Sequence, residues 1–377
     1  MIAGSKKILL VLPAQGGSRA LGENVAFALN ALSHKVTLFD VLEQKKALDN
    51  NLGSVNQALI SETKKTKPDI VLVIALAPVA LSTLRSIKAL NIPTVHYFCE
   101  DLRAEEHWRP IIADYDHFFI IQNEAWLTKC RELNRSTYYL PNGAPIEYLP
   151  ESSLEKKYDL VFAGAPYENR INFFERLIRT SLDFHIFGWG WDRVSLSTAL
   201  RNRVVGTGKW LNYKELFKIY SESKIVLNLH STLTGHEIET NGDFVNPRSF
   251  AIPLAHSLQL SDRRDALFEF FSEGMDIACF ASIEELVQKA DYYLAHPDSL
   301  SSIIEESRST VLSKHLLTHR MEQLIEAVFS KEKHDTFSDC FLEIKNKFKA
   351  GQPMDDNDML ILLAEDIRTK HASSEKR

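Results

Sequence analysis

Three stretches of this 377-residue chain concentrate side chains that can move a proton or hold an anion. His96-Tyr97-Phe98-Cys99-Glu100-Asp101 places an imidazole and two carboxylates just beyond an apolar run. Either kind of group can take the proton from a hydroxyl at neutral pH, so His96, Glu100 and Asp101 are candidate general bases. The plainer reading of the two acids is that they cap the helix containing Ala104 to His107. Gly164 and Arg170, in GAPYENR, put a guanidinium on the first turn of a helix, where charge and bidentate hydrogen bonding suit a diphosphate. A surface salt bridge would account for Arg170 equally simply. Gly16, Gly17, Ser18 and Arg19 join a first strand to a helix and expose backbone N–H groups at its positive end, a place for an anion or a sugar hydroxyl.

That last stretch also invites a dinucleotide reading, with Asp40 at the end of the second strand as the ribose-binding acid. The spacing opposes it. Counting from Gly16, the glycine positions hold Ser18 and Leu21; counting from Gly17, the middle one holds Arg19. His315 and His319 stand four apart without a third ligand or the usual Glu, and Asp355, Asp356 and Asp358 lack the central Gly and terminal Glu of a calcium loop. No metal is therefore expected. Trp189, Trp191 and Trp210 read as core aromatics, with stacking on a base or sugar as the alternative.

These residues need a scaffold that brings them together, and the hydrophobic pattern supplies one. Apolar runs at 7–12, 35–39, 69–76, 92–98, 117–122 and 137–140 alternate with helical stretches near 19–32, 54–65 and 78–90. Continuous apolar strands separated by helices predict a parallel sheet covered on both faces. Turn residues from Pro141 to Pro150 and the charged run Glu151 to Lys157 interrupt the pattern. It resumes with strands at 158–165, 183–188, 224–229 and 276–280, and helices at 169–180, 250–260, 282–295, 298–312 and 316–330. The expected organisation is a Rossmann-like half over 1–150, a second over 151–330, and a helical, charged tail over 331–377 with amphipathic stretches near 338–348 and 357–368. Such sheets bind ligands beyond the carboxyl ends of their strands, so the reaction belongs in the cleft between the halves.

Composition agrees: 45% hydrophobic and 25% charged residues are ordinary for globular domains. A net charge of −6 with no basic stripe disfavours a nucleic-acid partner. Cys99, Cys130, Cys279 and Cys340 form no CxxC pair, which points to a reducing, cytoplasmic setting. No window approaches the ~20 apolar residues of a membrane span, which limits membrane contact to the periphery.

Residues 158–330 resemble the C-terminal domain of the CgeB-like glycosyltransferases, of the spore-maturation type and related to the large retaining GT-B group. The resemblance is carried by FAGAPYENR (162–170), HIFGWGW (185–191), GKWLNYKELFKIYSESKIVLNLH (208–230), VNPRSF (245–250), the Phe271–Gly274 pair followed by SIEEL (282–286), YYLAHP (292–297) and HLLTHR (315–320). The first half is similar more loosely, through KPDIVLV (67–73) and IPTVHYFCED. The resemblance implies a GT-B α/β architecture and a nucleotide-sugar donor as substrate, with no cofactor. By position it implies that Gly164 and Arg170 approach the donor phosphates, that Tyr213, Asn228 and His230 line the nucleotide pocket, and that Asn246, Arg248 and Phe250 occupy the donor-binding loop and helix. The family's Glu after Arg-x-Phe is Ala251 here. Its service to the ribose hydroxyls then falls to Asp243, eight residues earlier, or to Glu237 or Asp262. The expected activity is metal-independent transfer of a sugar to a hydroxyl of a protein or glycan acceptor. The alternatives are a degenerate nucleotide-sugar-binding or assembly protein, motivated by Ala251, and an NAD(P)-dependent sugar-nucleotide enzyme.

Overall fold

The computed structural model describes residues 4–14, 16–123, 125–149, 154–206, 208–232 and 237–330, with 347 and 353. The chain forms two compact units, residues 3–324 and a smaller one of 1–2 with 325–377. Apart from residue 347, the stretches near 338–348 and 357–368 lie outside the described residues, as do Cys340 and the three aspartates at 355, 356 and 358.

The large unit carries two parallel sheets. In the first, β1 (Lys7–Leu12), β2 (Lys35–Asp40), β3 (Ile70–Ile74), β4 (Thr94–Phe98), β5 (His117–Ile120) and β6 (Thr137–Tyr139) lie in the order β2-β1-β3-β4-β5-β6. Its crossovers are α1 (Gly17–Ala31), α2 (Val41–Ala47), α3 (Leu52–Thr66), α4 (Leu81–Lys88), α5 (Glu105–Trp108) and α6 (Ala125–Leu133). In the second, β7 (Tyr158–Ala163), β8 (His185–Phe187), β9 (Ser223–Asn228), β10 (Leu258–Asp262) and β11 (Ala278–Phe280) lie in the order β11-β10-β9-β7-β8. With them run α7 (Glu168–Leu177), α8 (Thr198–Arg201), α9 (Tyr213–Ser221), α10 (Arg248–Leu254), α11 (Ile283–Ala295), α12 (Pro297–Lys314) and α13 (Leu317–Phe329). Strand order reverses between β1 and β3 in one sheet and between β7 and β9 in the other. Such switch points open the crevice where these folds bind ligands.

The apolar strands are continuous because both sheet faces are covered. Along β7, Leu160 and Phe162 join one buried cluster with Phe173, Ile225 and Leu227, while Val161 and Ala163 join another with Val226, Phe250 and Cys279. The stretch 250–260, expected as one helix, is instead the end of α10 followed by strand β10. Pro253 lacks the N–H that would continue the helix, and His256 takes φ 55°, so the chain turns and re-enters the sheet. A short fully buried run does not by itself distinguish the two periods. Helices α2, α6 and α9 were not anticipated, although Asn212 and Glu215 form a reciprocal capping box on α9 that the sequence spells out.

His96 belongs to the core, a correction to its expected place in the cleft. On β4, a strand buried along its whole length, its ring stacks on Phe118 at 4.9 Å and meets Tyr115 edge-on at 4.6 Å. Burial holds its pKa down to about 3, against a smaller opposing effect of the Ala75 backbone. A neutral, sequestered imidazole is not placed to take a substrate proton.

The segment after β6 is stitched to the junction of α12 and α13. Ala144 N–H donates to His315 O and Leu317 N–H to Ala144 O, each at 2.8 Å. A Cβ on Gly143 would stand 2.9 Å from Leu317 N, so the backbones approach too closely for a side chain. Gly143→Ala is expected to cost about 1–3 kcal/mol by forcing this junction apart, read as a lowered thermal midpoint. A second prediction concerns His96. Its folded pKa lies below the unfolded value of about 6.5, so below that pH the unfolded chain binds a proton that the native state refuses. Its contribution is intact above about 6.5 and declines as pH falls toward 3. His96→Phe should remove about 2 kcal/mol of the stability difference between pH 7.5 and pH 5 in urea melts at the two pH values. An unchanged difference would refute the assignment.

Candidate functional site

At the switch point of the second sheet, two guanidiniums meet over one carbonyl. Arg170, only 2% exposed, donates through Nε to Leu229 O at 3.1 Å and through Nη1 to Ala165 O at 3.0 Å. Arg248, at the start of α10, donates through Nη2 to the same Leu229 O at 3.2 Å and through Nε to Asn228 Oδ1 at 3.1 Å. Both lie over the Phe162 ring, at 5.3 and 5.8 Å, and Tyr167 covers Arg170 at 4.9 Å. Among the described residues neither is ion-paired with a carboxylate. Burial, and then the neighbouring charge of Arg248, hold Arg170 well below its ordinary pKa. Two cations pressed together with no carboxylate in contact, although the charge of Asp262 reaches Arg170, are an arrangement suited to an anion with at least two negative oxygens.

The turns around the pair are built for close approach. Gly164 N–H donates to Phe187 O at 3.0 Å, and its own carbonyl accepts from Trp191 Nε1 at 2.7 Å. A Cβ on Gly164 would lie 2.8 Å from the Phe162 ring and 3.3 Å from Arg170 Nη1. Gly164 is therefore placed as expected beside Arg170. Of the three tryptophans expected in the core only Trp191 is there; Trp189 and Trp210 are 41% and 51% exposed.

Several residues expected to line a nucleotide pocket support it from beneath. Asn228 is fully buried, accepting from Asn246 Nδ2 and Arg248 Nε while donating to Ser249 Oγ and Gln259 Oε1. His230 is also fully buried. The Asn246 backbone N–H donates to its Nε2 at 3.2 Å, so its proton sits on Nδ1, which donates to Asp262 Oδ1 at 2.7 Å. Burial lowers its pKa to about 4, whereas Asp262, opposed by its own burial, is held below the usual carboxylate range chiefly by His230. Asn246 Oδ1 accepts from Ser249 N–H on the first turn of α10 at 3.3 Å. Phe250 is buried against Phe270, Phe271 and His315, and Tyr213 stacks on Tyr148 at 5.6 Å. Asn228 and His230 are thus corrected from pocket lining to scaffold, while Phe250 lies on α10, within the loop-and-helix segment expected of it, with its ring in the core.

Asp243 and Glu237 are spent elsewhere. Asp243 accepts from Gln122 and Trp126 and pairs with Arg103, all from the first half; Glu237 pairs with Arg176 at 2.5 Å. Asp101 belongs to the same set, accepting from the Arg103 backbone and side chain and from Gln122 Nε2. It is neither a free base nor the cap of α5, whose N-cap is Ala104. Arg103, Gln122 and Trp126 were missed because nothing in their local sequence marks a contact more than a hundred residues away.

In the first half, Gly16 takes φ 89° and α1 begins at Gly17. Arg19 is locked bidentate to Asp40 at 2.7 and 2.6 Å, with Glu23 at 3.3 Å, and Asp40 also caps α2. That clasp removes Arg19 from phosphate binding and Asp40 from any ribose. Glu100, partly buried at the end of β4, is raised above the usual carboxylate range by desolvation, against a hydrogen bond with Ser18. His315 accepts from Arg320 and His319 from Leu316 N–H. Among the described residues no cluster of three potential metal ligands occurs, and no helix is long and apolar enough to cross a membrane.

No curated protein matches the chain in sequence. Residues 170–326 match the glycosyl transferase-like family. A Rickettsia africae glycosyltransferase superposes over 87% of this chain and all of its own, with 16% identity and a TM-score of 0.59. Anabaena HepE, solved with UDP-glucose, covers 86% of this chain and all of its own, with 14% identity and a TM-score of 0.59. Sucrose-phosphate synthase of Thermosynechococcus elongatus covers 86% of this chain and 99% of its own, with 11% identity and a TM-score of 0.57. The two parallel α/β sheets of this chain form the GT-B fold.

Proposed function

We propose that this chain transfers a sugar from a nucleoside-diphosphate donor to an acceptor hydroxyl, with residues 151–330 holding the donor and 1–150 presenting the acceptor. The observation that carries the reading is the Arg170–Arg248 pair, two cations without a carboxylate at the switch point of the second sheet. A departing diphosphate gains negative charge as the glycosidic bond breaks, and fixed donors that meet it there stabilise the transition state without reorganising. The pair supplies that charge itself, and the reading uses no metal. The finer assignment to the CgeB-like group rests on the ordered motifs of residues 158–330.

Glu100 is the acceptor-side base in this reading. It stands just past the carboxyl end of β4, near Ser18 on the first turn of α1, and is held above the usual carboxylate range by burial, nearer the pKa a base needs at neutral pH. The other tuned carboxyl is Glu147, in the segment between the sheets, which burial raises to about 7. Ala251 supports the second reading, a protein that binds nucleotide sugars without turning them over. It is 1% exposed in the core, so position 251 supplies no acid to a ribose.

The first test is calorimetry with UDP-, GDP-, CDP- and dTDP-sugars, UDP-glucose leading because HepE was solved with it. Arg248→Ala should weaken donor binding ~10- to 100-fold, the loss of one charge-assisted contact. Absence of binding by all four nucleotides, or binding indifferent to Arg248→Ala, would sink the proposal. Turnover separates the two readings. Glu100→Gln should lower kcat by ~10²- to 10⁴-fold, leave donor affinity within about twofold, and abolish the acid limb of the pH–rate profile. Loss of that limb in Glu147→Gln instead would move the base to Glu147.

A further inference from the structure

We propose that Asp243 is a positioning residue, the anchor of a strap over residues 239–248 that holds the guanidinium pair in register only while the strap is docked on the first half. The ligand arm of this inference rests on the donor-site reading above; its structural arm does not. Asp243 Oδ1 accepts from Gln122 Nε2 and lies beside Arg103 Nη2, each at 3.1 Å, and Oδ2 accepts from Trp126 Nε1 at 2.8 Å. Two residues on, Val245 O accepts from buried Asn142 Nδ2 at 3.0 Å, a second tether to the first half. The next residue turns to the other half: the Asn246 N–H reaches His230 Nε2, and its side-chain amide reaches the Asn228 oxygen that also takes Arg248 Nε.

Five peptide links separate Asp243 from Arg248, too few to absorb a movement of one without displacing the other. The strap is also pressed flat. A Cβ on Gly242 would stand 2.3 Å from Arg264 Nη1, and the Arg264 guanidinium lies 5.1 Å from the Phe244 ring. Arg264 is fully buried, paired with Glu239 at 3.2 Å and with Asp262 at 3.6 Å, and Asp262 in turn holds His230. Asn228 Oδ1, one of the two acceptors that orient Arg248, is thus joined through Asn246 and this strap to Arg103, Gln122 and Trp126 of the first half, while Leu229 O holds Arg248 from within its own half. Asp243 and Arg103 keep about a third of their side-chain surface in water, so their removal leaves the core intact.

The test pairs hydrogen–deuterium exchange over 239–248 with calorimetry of inorganic pyrophosphate, which reads the guanidiniums whatever the base or sugar. In Asp243→Ala, exchange of the 243–248 amides should accelerate at least tenfold and pyrophosphate affinity fall five- to tenfold. Arg103→Ala, in the other half and remote from the guanidiniums, should do the same, and the double variant no worse than the stronger single one. Asp243→Asn, which keeps an acceptor oxygen, should fall between. Unchanged exchange and affinity in Arg103→Ala, or strictly additive losses in the double variant, would overturn the proposal. If wild-type protein bound no pyrophosphate the donor-site reading would fail, and exchange alone would still decide for or against the strap.

Discussion

Two guanidiniums held against one aromatic face without a carboxylate are the constraint around which the second half is organised. Burying Arg170 costs desolvation that backbone carbonyls offset only partly, and the neighbouring Arg248 adds repulsion. The fold tolerates this because the pair is fixed from several sides. Leu229 O accepts from both, Asn228 Oδ1 holds one, and glycine at 164 lets the Phe162 ring pack beneath. In the proposed reading an incoming diphosphate would relieve this repulsion, so ligand affinity and local strain would be two descriptions of one charge arrangement.

The same logic sorts the acids and imidazoles around the pair. Among the described residues His96 is buried and neutral in an aromatic stack, buried His230 is committed to Asp262, and half-buried Asp101 is engaged by Arg103 and Gln122. Asp262 keeps its charge because His230 N–H groups and Arg264 surround it. Glu100 differs, since its burial is partial and desolvation raises it above the usual carboxylate range against the smaller opposing effect of Ser18 on the first turn of α1. A carboxylate raised by desolvation and lightly held is poised for proton transfer. One fixed in an ion-pair lattice is committed to structure.

Much of the fold was legible because strand and helix periods are local properties. The runs at 7–12 and 158–163 announce buried parallel strands, the run at 35–39 gives the largely exposed edge strand β2, and GAPYENR after β7 announces a strand–turn–helix with Arg170 at its opening. Where period and length conflict, the sequence is ambiguous: 250–260 is apolar throughout, and only Pro253 and the left-handed turn at His256 divide helix from strand. Site residues are harder still. His96 and Glu100 lie four apart on the same strand end, and sequence ranks the imidazole first. The structure withdraws the imidazole, whose ring is packed among aromatics, and leaves Glu100 partly buried and raised above the usual carboxylate range by desolvation.

The substitution at 251 ties these threads together. Positions 248 and 251 are i and i+3 on α10, neighbours on one helix face. A glutamate at 251 would set a carboxylate within reach of Arg248 and neutralise part of the cationic pair. Alanine there, packed into the core, leaves Arg248 to Asn228 and Leu229 O and preserves an uncompensated charge at the switch point. Ribose recognition loses an acceptor by the same change. Since Asp243 is engaged by the first half and Glu237 by Arg176, neither would be available to the ribose of the proposed donor. In the proposed transferase, donor affinity would therefore depend more on the phosphates, and on how firmly the strap from Asp243 holds Arg248, than on the sugar ring of the nucleoside.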